Sequence, residues 1–134
     1  MKTPAKRPVE KEVFKNFVSW FEIPATNFER AVNFYESIYQ IKLDTHQTES
    51  FEMAYFPAEG GVGGAIICGE GSSPSDTGSL IYLNGGQNLQ TLLDRIPKAG
   101  GRVLLEKQLI SEEAGCFALF IDSEGNKLAL HSKS

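Results

Sequence analysis

The sequence predicts an α+β fold of two βαβββ modules, whose curved mixed sheets surround a cleft. Three observations predict it. The order strand–helix–three strands, read along the first half, is read again after the segment GEGSSPSDTG. Each half holds one helix with a single apolar stripe, and an asparagine suited to capping stands before each stripe. The other apolar runs are short, rich in β-branched and aromatic residues, and broken by glycine or proline, as strands are. Residue identity between the halves is low, so the repeat is one of element order.

The elements follow one another plainly. Residues 1–15 are charged and proline-bearing and read as a flexible, solvated tail; without an apolar stretch they do not read as a secretory signal. Residues 16–134 read as one domain, with a first module at about 16–69, a linker at 70–78 and a second module at about 79–132. Residues 17–24 predict a strand closed by Pro24. Asn27 caps a helix with Glu29 in its first turn, and Phe28, Ala31, Val32, Tyr35, Ile38 and Tyr39 form its stripe. Strands are expected at 41–46, 51–56 and 63–69. In the second module a strand at 79–84 precedes a helix capped by Asn88, with Leu89, Leu92, Leu93 and Ile96 inward. Pro97 and the Gly100–Gly101 pair are expected to end that helix early. Strands at 102–110, 116–121 and 127–131 close the chain, the last two joined by the turn SEGN, in which Asp122 reads as a turn former.

Composition narrows the function classes. A chain of 134 residues with 41% hydrophobic and 22% charged residues is an ordinary globular domain. The net charge of −4 argues against nucleic acid and acidic membrane surfaces as partners. No apolar run approaches the roughly 20 residues that cross a bilayer. Cys68 and Cys116 sit in separate apolar runs and read as buried free thiols, which points to the cytoplasm. EGGVGG is not a phosphate loop, since no Lys-Ser or Lys-Thr and no helix follow it, and no Gly-x-Ser-x-Gly nucleophile segment occurs.

The helix FERAVNFYESIY and the closing DSEGNKLALHS, set in paired βαβββ modules, resemble the vicinal oxygen chelate superfamily of glyoxalases, bleomycin-resistance proteins and ring-cleaving dioxygenases. The likeness runs from about residue 17 to residue 132, and WFEIP resembles a glyoxalase-like subgroup of unsettled activity. The resemblance implies a glyoxalase/bleomycin-resistance fold, frequent homodimers and a divalent metal held near the middle of four strands. Carried over one by one, the ligand positions fall on Trp20, Leu80, Ala129 and the stretch 65–67. None offers a lone pair suited to a divalent ion, so the expectation is no metal and no cofactor.

Because strand residues of equal parity share a face, Glu22 should look into the cleft with Trp20, and His131 with Ala129. Trp20 offers a flat apolar surface for stacking. Glu22 beside His131 would make a minimal acid–base pair and the weak catalytic candidates. Tyr82 and, on the edge of the first sheet, Tyr55 complete the candidate ligand-binding set, while Phe51, Phe56, Phe117 and Phe120 read as core, with Phe117 or Phe120 as a further cleft residue. The leading reading is a metal-free cleft that binds a small amphipathic or aromatic molecule. The alternative is a metal-dependent lyase or dioxygenase with non-standard ligands, a divalent ion such as zinc being held by His46, Cys68 and His131.

Overall fold

The computed structural model describes residues 12–134. The tail expected at 1–15 therefore lies largely outside the described residues. The first module comprises β1 (Trp20–Pro24), α1 (Phe28–Tyr39), β2 (Asp44–Gln47), β3 (Phe51–Phe56) and β4 (Gly63–Gly69). The second comprises β5 (Tyr82–Asn84), α2 (Leu89–Ala99), β6 (Arg102–Ser111), β7 (Gly115–Ile121) and β8 (Lys127–Ser132). They form two four-stranded sheets of orders β1-β4-β3-β2 and β5-β8-β7-β6. β1–β4 and β5–β8 run parallel and the other pairs antiparallel, so both sheets are mixed. The sheets do not close on each other.

Capping and stripe place both helices where the sequence expects them. The Asn27 side chain accepts the Arg30 amide and the Asn88 side chain the Gln90 amide, each satisfying an orphan donor of the first turn. Ala31, Phe34, Tyr35 and Ile38 of α1 and Leu89, Leu92, Leu93 and Ile96 of α2 are buried. The helices pack on each other and on one face of the sheets, where Ile23, Ala54, Ile66, Leu83, Ala118, Phe120, Leu128 and Leu130 complete one core. Each large side chain so buried contributes about 1.5–3 kcal/mol.

Several boundaries depart from expectation for identifiable reasons. β1 begins at Trp20, where its ladder partner β4 begins opposite at Gly63; residues 17–19 have no strand beside them. β5 begins at Tyr82, opposite Ala129, although the Ile81 carbonyl still accepts the Ala129 amide at 2.9 Å. Pro97 does not end α2, which runs to Ala99. It stands in the last turn, costs one intrahelical bond and has the backbone angle a helix needs; Gly100 then ends the helix at φ 104°. Tyr55 sits on the inner strand β3, while the short β2 forms the edge. In the second sheet the edge strand β6 is broken by register shifts against β7, which discourages pairing with another chain.

The two modules are held together by the turn between β7 and β8. Asp122 does more than form that turn: it is buried, and its carboxylate accepts the Tyr35 hydroxyl of α1 at 2.7 Å, the Glu124 amide at 2.8 Å and the Asn126 side chain at 3.0 Å. Burial, then the Asp122 charge, push the Tyr35 hydroxyl well above its ordinary pKa. Asn126 in turn donates to the Pro24 carbonyl at 2.7 Å. Glu124, whose side chain is fully shielded, accepts the amides of Thr26 at 2.9 Å and Asn27 at 2.7 Å and two guanidinium bonds from Arg30 at 2.7 and 3.1 Å. A carboxylate of the second module thus completes the N-terminus of the helix of the first.

Candidate functional site

Each sheet covers one face with a helix and leaves the other bare, and the ladder registers decide which residues stand on the bare face. In the first sheet Ile23, Ile66 and Ala54 face the helices. The alternate residues therefore face away: Glu22, Ala65, Tyr55 and Asp44 in one row, Pro24, Ile67, Met53 and His46 in the next, and Trp20 beside Gly63. In the second sheet the bare face carries Tyr82, Ala129 and Leu119 in one row and Asn84, His131 and Phe117 in the next.

Trp20 stands on the bare face of β1, as parity requires, and is 44% exposed. Its position depends on the missing side chain at Gly63, where an added Cβ would lie 3.1 Å from the indole. The ring reaches across β4 to Tyr55, centroids 6.2 Å apart and planes at 55°. Between the two strands lies Ala65, which is fully buried. The indole N–H points to the Glu22 carboxylate at 3.4 Å, a long hydrogen bond.

The second sheet repeats the motif. Tyr82 on β5 and Phe117 on β7 approach across β8, ring centroids 6.4 Å apart, beside the fully buried Ala129. Of the two phenylalanines offered as cleft residues, Phe117 has this face and Phe120 is wholly in the core. In both modules an aromatic pair from the flanking strands closes over an alanine of the central strand.

The structure does not bring Glu22 and His131 together. Glu22 lines a cavity of about 270 Å³ with Pro24 and Lys127. His131 lines another, of about 560 Å³, with Tyr82 and Asn84. The imidazole Nε2 donates to the Ala114 carbonyl at 2.5 Å, which turns the ring toward the β6–β7 hairpin. The two residues have parity in common but belong to different sheets, and the acid–base pair expected of them is not formed within one chain. Tyr82 also lines a cavity of about 750 Å³, with Phe17, Val18, Phe21 and Leu80.

The positions at which the resemblance implies metal ligands carry no donor side chain. The implied ligand positions hold an indole at Trp20, an isobutyl group at Leu80 and methyl groups at Ala65 and Ala129. His46, Cys68 and His131 are apart: His46 is on the bare face of the first sheet, Cys68 on the opposite face and His131 in the other sheet. The Cys68 thiol donates to the Thr26 carbonyl at 3.6 Å, and burial, then the Glu52 charge, push its pKa up. Among the described residues no three His, Cys, Asp or Glu side chains converge. Both cysteines are free; Cys116 is buried and Cys68 half-buried.

No protein-family model and no curated protein sequence matches the chain. Solved structures do. Glyoxalase I from Zea mays aligns with a TM-score of 0.64 at 16% identity, over 87% of this chain and 44% of that one. A glyoxalase/bleomycin resistance protein from Albidiferax ferrireducens aligns with a TM-score of 0.61 at 15% identity, over 89% of this chain and all of that one. A glyoxylase/bleomycin resistance protein/dioxygenase domain from Frankia sp. aligns with a TM-score of 0.65 at 14% identity, over 90% and 98%. At these identities the likeness is one of architecture, and the chain has the paired βαβββ fold of the vicinal oxygen chelate superfamily.

Proposed function

We propose that the protein is a binding module that takes a small aromatic or amphipathic molecule on the bare faces of its sheets, without a metal. The observation that carries this reading is the Trp20–Tyr55 pair over Ala65, flanked by the Glu22 carboxylate. Two tilted rings on a rigid sheet form an apolar surface whose side chains lose little freedom when a ligand stacks on them, and a nearby carboxylate orients a polar or cationic end. Tyr82, Phe117 and, at the far end of its strand, His131 supply a matching surface in the second module.

A second copy of the chain is the natural cover for these faces. Trp20, Tyr82 and Leu80 are 44%, 54% and 40% exposed, and bare aromatic sheet faces are stabilised when another layer removes them from water. In this homodimer the bare sheets of two chains would enclose the ligand between them.

The test uses the single tryptophan as reporter. Titration of metal-free protein with a panel of small aromatic and amphipathic compounds should shift Trp20 emission saturably for some of them. Trp20→Ala should abolish the thermal stabilisation those compounds confer while changing the stability of the free protein by less than about 1 kcal/mol, since the side chain is half-exposed. Sedimentation should report a dimer. One equivalent of a transition metal retained through purification, with a chelator lowering the melting temperature, would overturn the reading.

A further inference from the structure

We propose a second site, at the seam between the modules beneath the linker, that takes a small zwitterion with an aliphatic side chain, of the α-amino-acid type. It adjoins the stacking surface, with Glu22 bordering both, while Trp20 and Tyr55 do not line it. The cavity of about 270 Å³ lies where β1 passes the segment leading into β5 and the start of β8. That segment is fixed in place: the Ser75 carbonyl accepts the Lys127 amide at 3.2 Å, and the Asn126 side chain accepts the Ser75 amide at 3.0 Å.

Two opposite charges border this cavity, Glu22 and Lys127, and neither forms an ion pair with another described residue or with the other. Beside them are the hydroxyls of Ser73 and Ser79, which make no hydrogen bond to another described residue, while Pro24 and Ile81 supply apolar wall. A ligand carrying one charge would satisfy one of these groups and leave the other. A ligand carrying both would make a charge-assisted hydrogen bond at each end without adding net charge. The volume lies below the roughly 300–1,000 Å³ of sites for drug-sized molecules, which limits the guest to amino-acid size. With both charges near solvent the affinity belongs in the millimolar range.

Amide NMR spectra of the full chain test this with L-leucine and two analogues that each lack one charge, isoamylamine and isocaproate. Leucine should shift the resonances of residues 75–81 and 126–128 saturably, and each analogue should bind roughly tenfold more weakly. Glu22→Gln and Lys127→Met should each weaken leucine binding to a similar degree, whereas Trp20→Ala should leave it unchanged. Glu22 is exposed, Lys127 is half-buried and neither belongs to the core, so the variants keep the fold, which their spectra will confirm. Equal binding of all three compounds, insensitivity to Lys127→Met, or the absence of any saturable shift would overturn the proposal. Glu22 is shared, so Lys127→Met and Trp20→Ala are the variants that separate the two sites, and failure here is distinct from failure of the stacking surface.

Discussion

Removing the Glu124 carboxylate should loosen the whole domain, because one side chain serves both modules. In Glu124→Ala the amides of Thr26 and Asn27 lose their acceptor, and a lost cap of this kind costs about 1–2 kcal/mol. The Arg30 side chain is 54% exposed and regains water when its partner is removed, so it adds little to the loss. The combined loss is about 2 kcal/mol, which for a domain of this size lowers the melting temperature by about 8 °C. Glu124→Gln keeps one acceptor but turns an amide toward donors and should lose about 1–2 kcal/mol. Urea denaturation measures both. The pH dependence is diagnostic. Burial pushes the Glu124 carboxyl up, but Arg30, the Asn27 and Thr26 amides and Ser123 outweigh it and hold the group below its ordinary value of 4.5. A carboxyl with a lowered folded-state pKa adds stability above its unfolded value, and that stability disappears as pH falls through the folded value. The gap between wild type and Glu124→Gln should therefore be full at pH 7 and shrink below pH 4.5. A Glu124→Ala protein within about 0.5 kcal/mol of wild type, or a gap independent of pH, would refute the reasoning.

Two further perturbations test the packing. Gly64→Ala would place a Cβ 2.3 Å from the Phe21 ring, which is itself packed on Phe56, and should cost about 1–3 kcal/mol by overpacking; Gly63→Ala meets only the half-exposed indole at 3.1 Å and should cost under about 1 kcal/mol while shifting Trp20 emission. Tyr35→Phe removes the hydroxyl that Asp122 accepts inside the core and should cost about 2 kcal/mol in urea denaturation, leaving far-UV circular dichroism unchanged.

Local signals made most of the architecture legible. Asn27 and Asn88 mark helix starts because capping is decided within three residues, and the apolar stripes mark the buried faces because a helix repeats every turn. Parity along WFEIP places Trp20 and Glu22 on the bare face, since alternation is a property of any strand. What parity does not encode is which sheet a strand joins or at what end two residues meet. Glu22 and His131 each stand on a bare face yet do not share a cavity. Strand starts at Trp20 and Tyr82 depend on their ladder partners Gly63 and Ala129, which lie more than 40 residues away in each case. The clamp at Glu124 was invisible for the same reason: SEGN has the composition of any polar turn, and its partners Thr26 and Asn27 precede it by 98 and 97 residues.

That separation bears on how the protein is made. The amino end of α1 is complete only when residue 124 has been synthesised and has folded back onto it. The first module on its own therefore carries a helix capped by Asn27 alone, with the Thr26 and Asn27 amides unpaired and Tyr35 unroofed. Folding of the two modules is coupled in this way, and a truncation anywhere before the final hairpin leaves both halves without their keystone.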